Sequence, residues 1–394
     1  MKKVVLGLIV IVLLAASYVL GSINSSTVVS VPAAEWADGS EAAAAWRELS
    51  VSMESAAARV FAATADERER LDGLLYLAQI LSASLEMKVA KGDPSAPAFT
   101  NWMADYRKFL GDTPDAVYHT AEISSNFDYE IIGNRRDAEY LGFMLYGEGL
   151  NGWNRMANNV SSETLAFDEN GNFRLIVSAK KPTDAVDWLP LQDDIHLLMV
   201  RQYFHGREGK REATFGIRNL QHVGHTLPID SDIAADLRSA ERFFRKTLNG
   251  SIALIDMLDN APNTSETPKG YSRDFGGIYY PTIDNTYFGT WFRLEEDEAL
   301  LVEGDVPDVD YWSVSLQNRW MQSFDYQHYQ VSLHNEQLRT QDGRYRVVVS
   351  ARNPGVDNWL DTAGYSEGMF SVRYQLAEGD IGPTLTVVKL DELQ

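Results

Sequence analysis

Polar and apolar side chains alternate along GRYRVVVSA, the segment at residues 343–351. Tyr345 and Val347 fall on one face of an extended chain, and Arg344 and Arg346 fall on the other, because successive side chains of a strand point to opposite sides. Similar short runs recur over much of the chain after about residue 116. They predict antiparallel strands of sheets that have one buried face.

Two stretches have the period of a helix instead. Residues 40–110 are predicted to be helical, with Thr64 and Glu67 as a capping box and an apolar stripe formed by Leu71, Leu74, Leu75, Leu81 and Leu85. A second helix is predicted from Ser231 to Leu248, with a stripe formed by Ile233, Leu237, Ala240, Phe244 and Leu248. Both stripes are expected to pack against a neighbouring layer.

One strand pattern occurs twice. Residues 171–182 and 343–354 align over twelve positions without a gap, and six of these positions are identical. The agreement continues outside this window, with Trp188 matching Trp359, Arg201 matching Arg373 and Tyr140 matching Tyr311. YHTAEI at residues 118–123 and YPTIDN at residues 280–285 are expected to open the two copies.

The repeat predicts an α+β multidomain fold with two homologous antiparallel β-sandwich domains. The predicted divisions are a leader or anchor at 1–22, a helical region at 23–115, the first β-domain at 116–205, a helical connection at 206–274 and the second β-domain at 275–394. Asn170-Gly171 and Asp342-Gly343 precede the matching strands. Both dipeptides suit hairpin turns, because they tolerate positive φ.

The N-terminus points to export. Two lysines precede about eighteen apolar residues, which is the short limit for spanning a bilayer. Ala15, Ser17 and Gly21 would suit signal peptidase, so a cleaved signal and an inner-membrane anchor at residues 4–21 both stay open. The expected location is periplasmic or otherwise extracytoplasmic.

Composition removes several classes of function. The net charge of −21 argues against binding nucleic acid, because that binding relies on cations that neutralise phosphates. The chain has no cysteine, so it has no disulfide, no thiolate chemistry and no lipidation site of the lipoprotein type. Its 394 residues are enough to form cores without disulfides.

Three segments resemble a known family. NWLDTAGYSEGMFSVRY at 358–374, YWSVSLQNRWMQSFDY at 311–326 and FLGDTPDAVYHTAEI at 109–123 are similar to the bacterial domain of unknown function 1214. The resemblance covers most of the chain after about residue 40, and it implies β-sandwich domains with helical additions, as in the sister family 1254. It implies no settled activity. In the family pattern a histidine often stands where this chain has Tyr365.

The repeated Trp-Leu element and the arginine after it form the main candidate for binding a ligand. In the second copy, a carboxylate, an indole and a guanidinium are expected at one edge of the sandwich, where they would suit a carboxylate or a sugar hydroxyl. The candidate residues are Asn358, Trp359, Asp361, Tyr365 and Arg373, with Trp188 and Arg201 in the first copy. The alternative is structural: Trp359 lies in the core, and Asp361 pairs with Arg373 to hold the loop.

Other motifs give weaker evidence for a catalytic or metal-binding site. Residues 364–368 match G-x-S-x-G, but a strand pattern follows where a nucleophile elbow needs a helix. His222 and His225 have metal-ligand spacing but no third ligand nearby. Two acidic segments resemble calcium loops, although surface turns explain them as well; they are Asp168 with Asn170 and Asn172, and Glu303 with Asp305, Asp308 and Asp310. No cofactor is predicted, and calcium is the one ion left open.

Three functions fit these features, and the sequence does not decide whether the protein is an enzyme. The first is binding or processing of a small molecule, a sugar or an apolar metabolite, in a cleft between the β-domains. The second is a non-catalytic envelope protein that presents its sandwiches to a protein partner. The third is a metal-dependent hydrolase. We favour the first hypothesis.

Overall fold

Three α-helices and eighteen strands make up the fold of the described residues. The structure, a computed structural model, describes residues 39–64, 66–90, 92–149, 154–221, 224, 227–266, 280, 285–377 and 382–393. The predicted leader or anchor at 1–22 and the pair His222 and His225 lie outside them. No helix within the described ranges is long and apolar enough to cross a membrane.

The helices are α1 (Glu41–Ala63), α2 (Glu67–Leu85) and α3 (Asp230–Asp259). Ser40 caps α1 by accepting a hydrogen bond from the Ala43 N–H at 3.1 Å. Asp66 caps α2 in the same way, with the Glu69 N–H at 2.9 Å. Thr64 instead ends α1, so the predicted capping box of Thr64 and Glu67 is wrong by two residues.

Helix α2 buries a different face from the one predicted. Its buried positions include Tyr76, Leu77 and Ile80, whereas Leu71 is 60% exposed and Leu75 is 56% exposed. Gly73 allows the close packing, since a Cβ there would lie 2.7 Å from the ring of Trp320. The stripe predicted from the leucines is therefore wrong, because small and aromatic residues form the buried face of α2. In α3 the predicted stripe is buried from Leu237 to Leu248.

The first sandwich has a front sheet of order β1-β2-β8-β4-β5 and a back sheet of order β7-β6-β3-β9. Its strands are β1 Thr100–Met103, β2 Ala116–Glu122, β3 Tyr129–Asn134, β4 Tyr140–Glu148, β5 Asn154–Ser161, β6 Asn172–Ser178, β7 Asp187–Pro190, β8 Ile195–Tyr203 and β9 Thr214–Asn219. Leu198 and Val200 of β8 pack against Leu175 and Val177 of β6 in the core between the sheets.

The second sandwich has a front sheet of order β10-β17-β12-β13 and a back sheet of order β14-β15-β11-β18, with β16 beside β15. Its strands are β10 Asn285–Arg293, β11 Glu298–Asp305, β12 Trp312–Gln317, β13 Ser332–His334, β14 Thr340–Gln341, β15 Arg344–Ser350, β16 Trp359–Asp361, β17 Glu367–Gln375 and β18 Thr384–Lys389. Phe370 and Val372 of β17 face Val347 and Val349 of β15 in its core.

The two sandwiches have equivalent topology, which confirms the predicted duplication. Strands β2, β8, β4 and β5 correspond in order to β10, β17, β12 and β13. The short strand after the repeat pairs in parallel in both copies, with Trp188 opposite Ile176 and Trp359 opposite Val348. The indole of Trp188 donates to Ser178 Oγ at 3.1 Å, and that of Trp359 donates to Ser350 Oγ at 3.0 Å.

The duplication also repeats a close contact between glycine and an aromatic ring. Gly133 lies opposite Phe173 across β3 and β6, and Gly304 lies opposite Tyr345 across β11 and β15. A Cβ at Gly304 would lie 2.6 Å from the Tyr345 hydroxyl oxygen. Both glycines are therefore required by close approach of a neighbour. Gly343 adopts φ of +74° in the two-residue hairpin between β14 and β15, as predicted. Gly171 adopts φ of +80° in a turn on the connection from β5 to β6, which lie in different sheets, so the predicted hairpin is wrong there.

Three details of the predicted organisation need correction. Strand β1 lies in the predicted helical region, and β9 lies in the predicted helical connection, yet both complete sheets of the first sandwich. The copies also open differently from the prediction. Tyr118 pairs with Arg201 and Tyr287 pairs with Arg373, so the equivalent of Tyr118 is Tyr287 and not Tyr280.

A central apolar cluster joins the sandwiches to the helices. It contains Met199 and Tyr203 from the first front sheet, Tyr311 and Trp320 from the second domain, and Phe243 from α3. The outer faces of the front sheets are thus buried in the interior of the molecule, and the cavity described below lies there.

Candidate functional site

A cavity of about 70 Å³ lies between the two front sheets. Tyr118 and Arg201 line it from the first sandwich, and Tyr287 and Arg373 line it from the second. Trp102 of β1 also contributes to its wall. The site is therefore built by both copies of the duplication.

Strand alternation explains why arginines lie here. In β8, Leu198 and Val200 point into the first core, so Arg201 must point to the outer face of its sheet. In β17, Phe370 and Val372 point into the second core, so Arg373 points outward in the same way. These outer faces are the cavity walls.

Each arginine is paired across the sheet with a tyrosine of the neighbouring strand. Tyr118 lies opposite Arg201, and Tyr287 lies opposite Arg373. The guanidinium carbon of Arg373 is 5.3 Å from the centre of the Tyr287 ring. The cavity therefore contains two equivalent Arg–Tyr pairs, one from each copy.

The tyrosines supply oxygen atoms but no negative charge at neutral pH. Burial raises the pKa of Tyr287 to about 12, although Arg373 and Arg201 oppose the rise. Burial also raises the pKa of Tyr118 well above its usual value, again against both arginines. The phenols are thus neutral at pH 7, and both guanidinium groups lie close enough to affect both of them.

The two arginines differ in their hydrogen bonds. Nη2 of Arg201 donates to the Tyr146 hydroxyl at 2.6 Å and to the Tyr280 carbonyl oxygen. Nη2 of Arg373 donates to the Gly111 carbonyl oxygen at 3.1 Å. Nε and Nη1 of Arg373 are buried and have no hydrogen-bond partner in the described part of the chain.

Carboxylates are near this cavity but do not pair with its arginines. Over the described ranges, no carboxylate oxygen lies within 4.0 Å of Arg201 or Arg373. Asp115 accepts from the Tyr311 hydroxyl at 3.0 Å, and Asp112 accepts from the Ser323 N–H at 2.9 Å. Burial raises the pKa of both, to about 6 for Asp115, while Arg373 opposes the rise.

Two further polar atoms at the cavity have no partner among the residues described. They are the indole Nε1 of Trp102 and the amide Oε1 of Gln317, whose residues are 1% and 2% exposed. Buried polar groups are normally hydrogen-bonded, so a cluster of unpaired ones calls for an explanation. Chemically, the cluster offers N–H donors, positive charge and one amide oxygen that accepts.

The predicted trio at the edge of the second sandwich does not come together. Trp359 and Asp361 are on β16 in the back sheet, whereas Arg373 is on β17 in the front sheet. Asp361 accepts from the Ala363 N–H at 2.8 Å, and Trp359 packs on the outer side of the back sheet. Asn358 bridges the Arg339 and Arg346 carbonyl oxygens at 2.7 and 2.8 Å.

The expected convergence is therefore wrong, and so is the alternative pairing of Asp361 with Arg373. Trp188 of the first copy has the same hydrogen bonds as Trp359 and lies on its own back sheet. Of the seven candidate residues, Arg201 and Arg373 line the cavity.

Tyr365 connects the second sandwich to α2. Its ring stacks on Phe324 with the two ring centroids 4.3 Å apart. The guanidinium carbon of Arg68, a residue of α2, lies 3.6 Å from the centroid of the Tyr365 ring. Its hydroxyl donates to Asp72 at 2.8 Å. This arrangement holds the helix against the domain.

The remaining motifs have local structural roles in the residues described. Ser366 directly precedes β17, so a strand follows the G-x-S-x-G sequence, as predicted. Asp168 accepts from the N–H groups of Asn170 and Asn172 at 2.9 and 2.8 Å within its turn. Glu303 and Asp305 pair across the sheet with Arg346 and Arg344.

Sequence reasoning missed Trp102, Tyr118, Tyr287 and Gln317 as lining residues. The tyrosines were hard to find from the sequence, because Tyr118 precedes Arg201 by 83 residues (201 − 118) and Tyr287 precedes Arg373 by 86 (373 − 287), so an alignment without gaps does not match them. Their equivalence is visible in the strand register.

The fold and the cavity together define a duplicated β-sandwich protein with an internal cavity that both copies line. The family described as "Protein of unknown function (DUF1214)" matches residues 148–205 and 278–378. This match confirms the resemblance predicted from the sequence. Each matched segment carries one of the two cavity arginines.

Solved structures give the fold a close counterpart. The chain is similar to the crystal structure of an uncharacterized protein from Burkholderia cenocepacia, with 26% identity and a TM-score of 0.81 over 88% of this chain and 97% of that one. A protein from Vibrio parahaemolyticus is more distant, with 14% identity and a TM-score of 0.46 over 80% of this chain and 98% of that one. A search of curated proteins finds no match.

Proposed function

We propose that this protein binds a small organic anion in the cavity between its two sandwiches. The observation that carries the proposal is Arg373, whose Nε and Nη1 are buried without a partner in the described chain. Burying an unpaired cation is costly, whereas an anion that completes its hydrogen bonds would offset that cost. Arg201 places a second positive charge at the same cavity.

The positive charge changes the ligand class expected from the sequence. A neutral sugar or an apolar metabolite would leave both guanidinium groups without a counter-ion. An anion would supply one, in a site where the phenols of Tyr118 and Tyr287 are uncharged at neutral pH. The negative charge of Asp115 partly offsets the positive charge of the arginines at long range. Its carboxylate is not within hydrogen-bonding distance of either guanidinium group.

The proposal includes an extracytoplasmic location, supported by the lysines and apolar run at the N-terminus. Cell fractionation and N-terminal sequencing of the mature protein would test it. Recovery of the full-length chain from the cytosolic fraction would contradict this part of the proposal. A protein partner in the envelope is compatible with it and would be tested by cross-linking.

Ligand binding is tested by thermal shift and calorimetry with a panel of organic anions and neutral sugars. Anions should stabilise the protein, and Arg373→Gln should strongly reduce this stabilisation. Arg346→Gln is the matched control, since Arg346 lies in the same sandwich but is 63% exposed and paired with Glu303. Stabilisation by sugars alone, or equal loss in both variants, would contradict the proposal.

A further inference from the structure

We infer that the ligand is a short monocarboxylate, that Arg373 holds its single head group, and that Arg201 is a positioning residue. This inference rests on the proposed function and specifies its ligand. It depends on an asymmetry between two arginines that the duplication made equivalent, and on the size and lining of the cavity.

The asymmetry lies in the free donors. Nε and Nη1 of Arg373 provide three N–H bonds with no acceptor among the described residues. Both hydrogen bonds of Arg201 within the described residues come from its Nη2, and both go to atoms of the cavity wall. Arg201 is therefore tied to the wall by two bonds, while Arg373 keeps buried donors that are unpaired in the described chain, which suits one carboxylate group.

Arg201 uses its donors to fix the wall of the cavity. It donates to the Tyr280 carbonyl oxygen and to the Tyr146 hydroxyl, which itself donates to the same carbonyl at 2.9 Å. The rings of Tyr280 and Trp102 pack edge to face, with their centroids 4.9 Å apart. Arg201 thereby orients Trp102, whose unpaired Nε1–H is a second donor for the ligand.

The volume favours a ligand of a few atoms. A cavity of about 70 Å³ holds roughly five water molecules at about 10–15 Å³ each. Propionate and butyrate, with about five or six non-hydrogen atoms, are of this size. Succinate and sugars have more non-hydrogen atoms and match this volume less well.

The lining favours an organic acid over an inorganic oxyanion. Met199, Met321, Met369, Leu110 and Phe288 contribute apolar surface to the same cavity. Phosphate would leave this surface without a partner, while the alkyl chain of a short acid would cover it. Methionine side chains also adapt to small differences in chain length.

The experiment compares propionate, butyrate, propionamide, succinate and inorganic phosphate by calorimetry on the purified full chain. Propionate or butyrate should bind, and propionamide, succinate and phosphate should bind at least about tenfold more weakly, since each lacks the charge, the size or the apolar tail. Arg373→Gln should weaken butyrate binding about 10- to 100-fold.

Two variants separate holding from positioning. Trp102→Phe keeps the ring but removes the Nε1–H, and it should weaken binding of the acids about tenfold. Arg201→Lys should weaken it less than Arg373→Lys does, because Arg201 gives no hydrogen bond to the ligand. Circular dichroism and melting temperature establish that each variant is folded, and the Trp102→Phe result stands even if an arginine variant does not fold.

The outcomes distinguish this inference from the proposed function. Tighter binding of succinate or phosphate than of butyrate would overturn the monocarboxylate and leave an anion-binding protein. A larger loss at Arg201 than at Arg373 would overturn the division of roles. Binding of none of the organic anions would overturn both statements together.

Discussion

Replacing Asp115 with asparagine should change how the stability of the protein depends on pH. Asp115 is 5% exposed, and its carboxylate accepts a hydrogen bond from the Tyr311 hydroxyl at 3.0 Å. Burial raises its pKa from 3.8 to about 6, while this hydrogen bond and the charges of Arg373 and Arg207 limit the rise. Asparagine retains the acceptor oxygen but cannot ionise.

The sign and size of this pH dependence of stability follow from proton linkage. Between about pH 4 and pH 6 the folded protein keeps a proton on Asp115 that the unfolded chain releases. Raising the pH through this window therefore removes stability. At about 1.4 kcal/mol for each pH unit, a pKa difference of about two units corresponds to ~3 kcal/mol.

Urea unfolding followed by tryptophan fluorescence measures this effect at pH 4, 5, 6 and 7. The free energy of unfolding of the natural protein minus that of Asp115→Asn should fall by about 2–3 kcal/mol from pH 4 to pH 7. Taking the difference removes the contributions of the other carboxylates, which titrate in both proteins. A difference that stays constant within about 0.5 kcal/mol would refute the argument that burial raises this pKa.

Four substitutions test the packing and the duplicated frame. Gly304→Ala should destabilise by about 1–3 kcal/mol, since its Cβ would meet Tyr345 at 2.6 Å, and Gly216→Ala, with nothing within 4 Å of the added Cβ, should be nearly neutral in the same urea assay. Trp359→Phe should cost about 1 kcal/mol through its lost indole hydrogen bond and leave anion binding unchanged in calorimetry. Leu71→Gln should change the free energy of unfolding by less than about 0.5 kcal/mol, because this side chain is largely exposed. A larger loss of stability would contradict the observed burial pattern of α2.

The sandwich strands were predictable because they are governed by local rules. Alternation placed Tyr345 and Val347 inside, and the two Asx-Gly turns fixed where the repeated strands begin. The boundaries of the copies were harder to predict. Strands β1 and β9 are short segments within otherwise helical or irregular regions, and their place in a sheet is set by tertiary pairing.

The candidate trio failed for a topological reason. Trp359 and Arg373 are close in sequence, but β16 pairs with the back sheet and β17 belongs to the front sheet. The sandwich core, with Phe370 and Val372, lies between them. Nearness along the chain therefore said little about nearness in space, because the chain crosses from one sheet to the other within a few residues.

The cavity depends on a relation that no local pattern encodes. The sequence identifies Arg201 and Arg373 as equivalent, but equivalence within two sandwiches would hold equally if their front sheets faced solvent. Packing of the front sheets and α3 around one interior turns two surface arginines into two buried ones. Once both are buried, they do not keep equivalent partners: Arg201 donates to the Tyr146 hydroxyl and the Tyr280 carbonyl oxygen, whereas Arg373 donates to the Gly111 carbonyl oxygen. The repeat therefore supplies two equivalent arginines, and the residues packed around them give each a different set of hydrogen bonds.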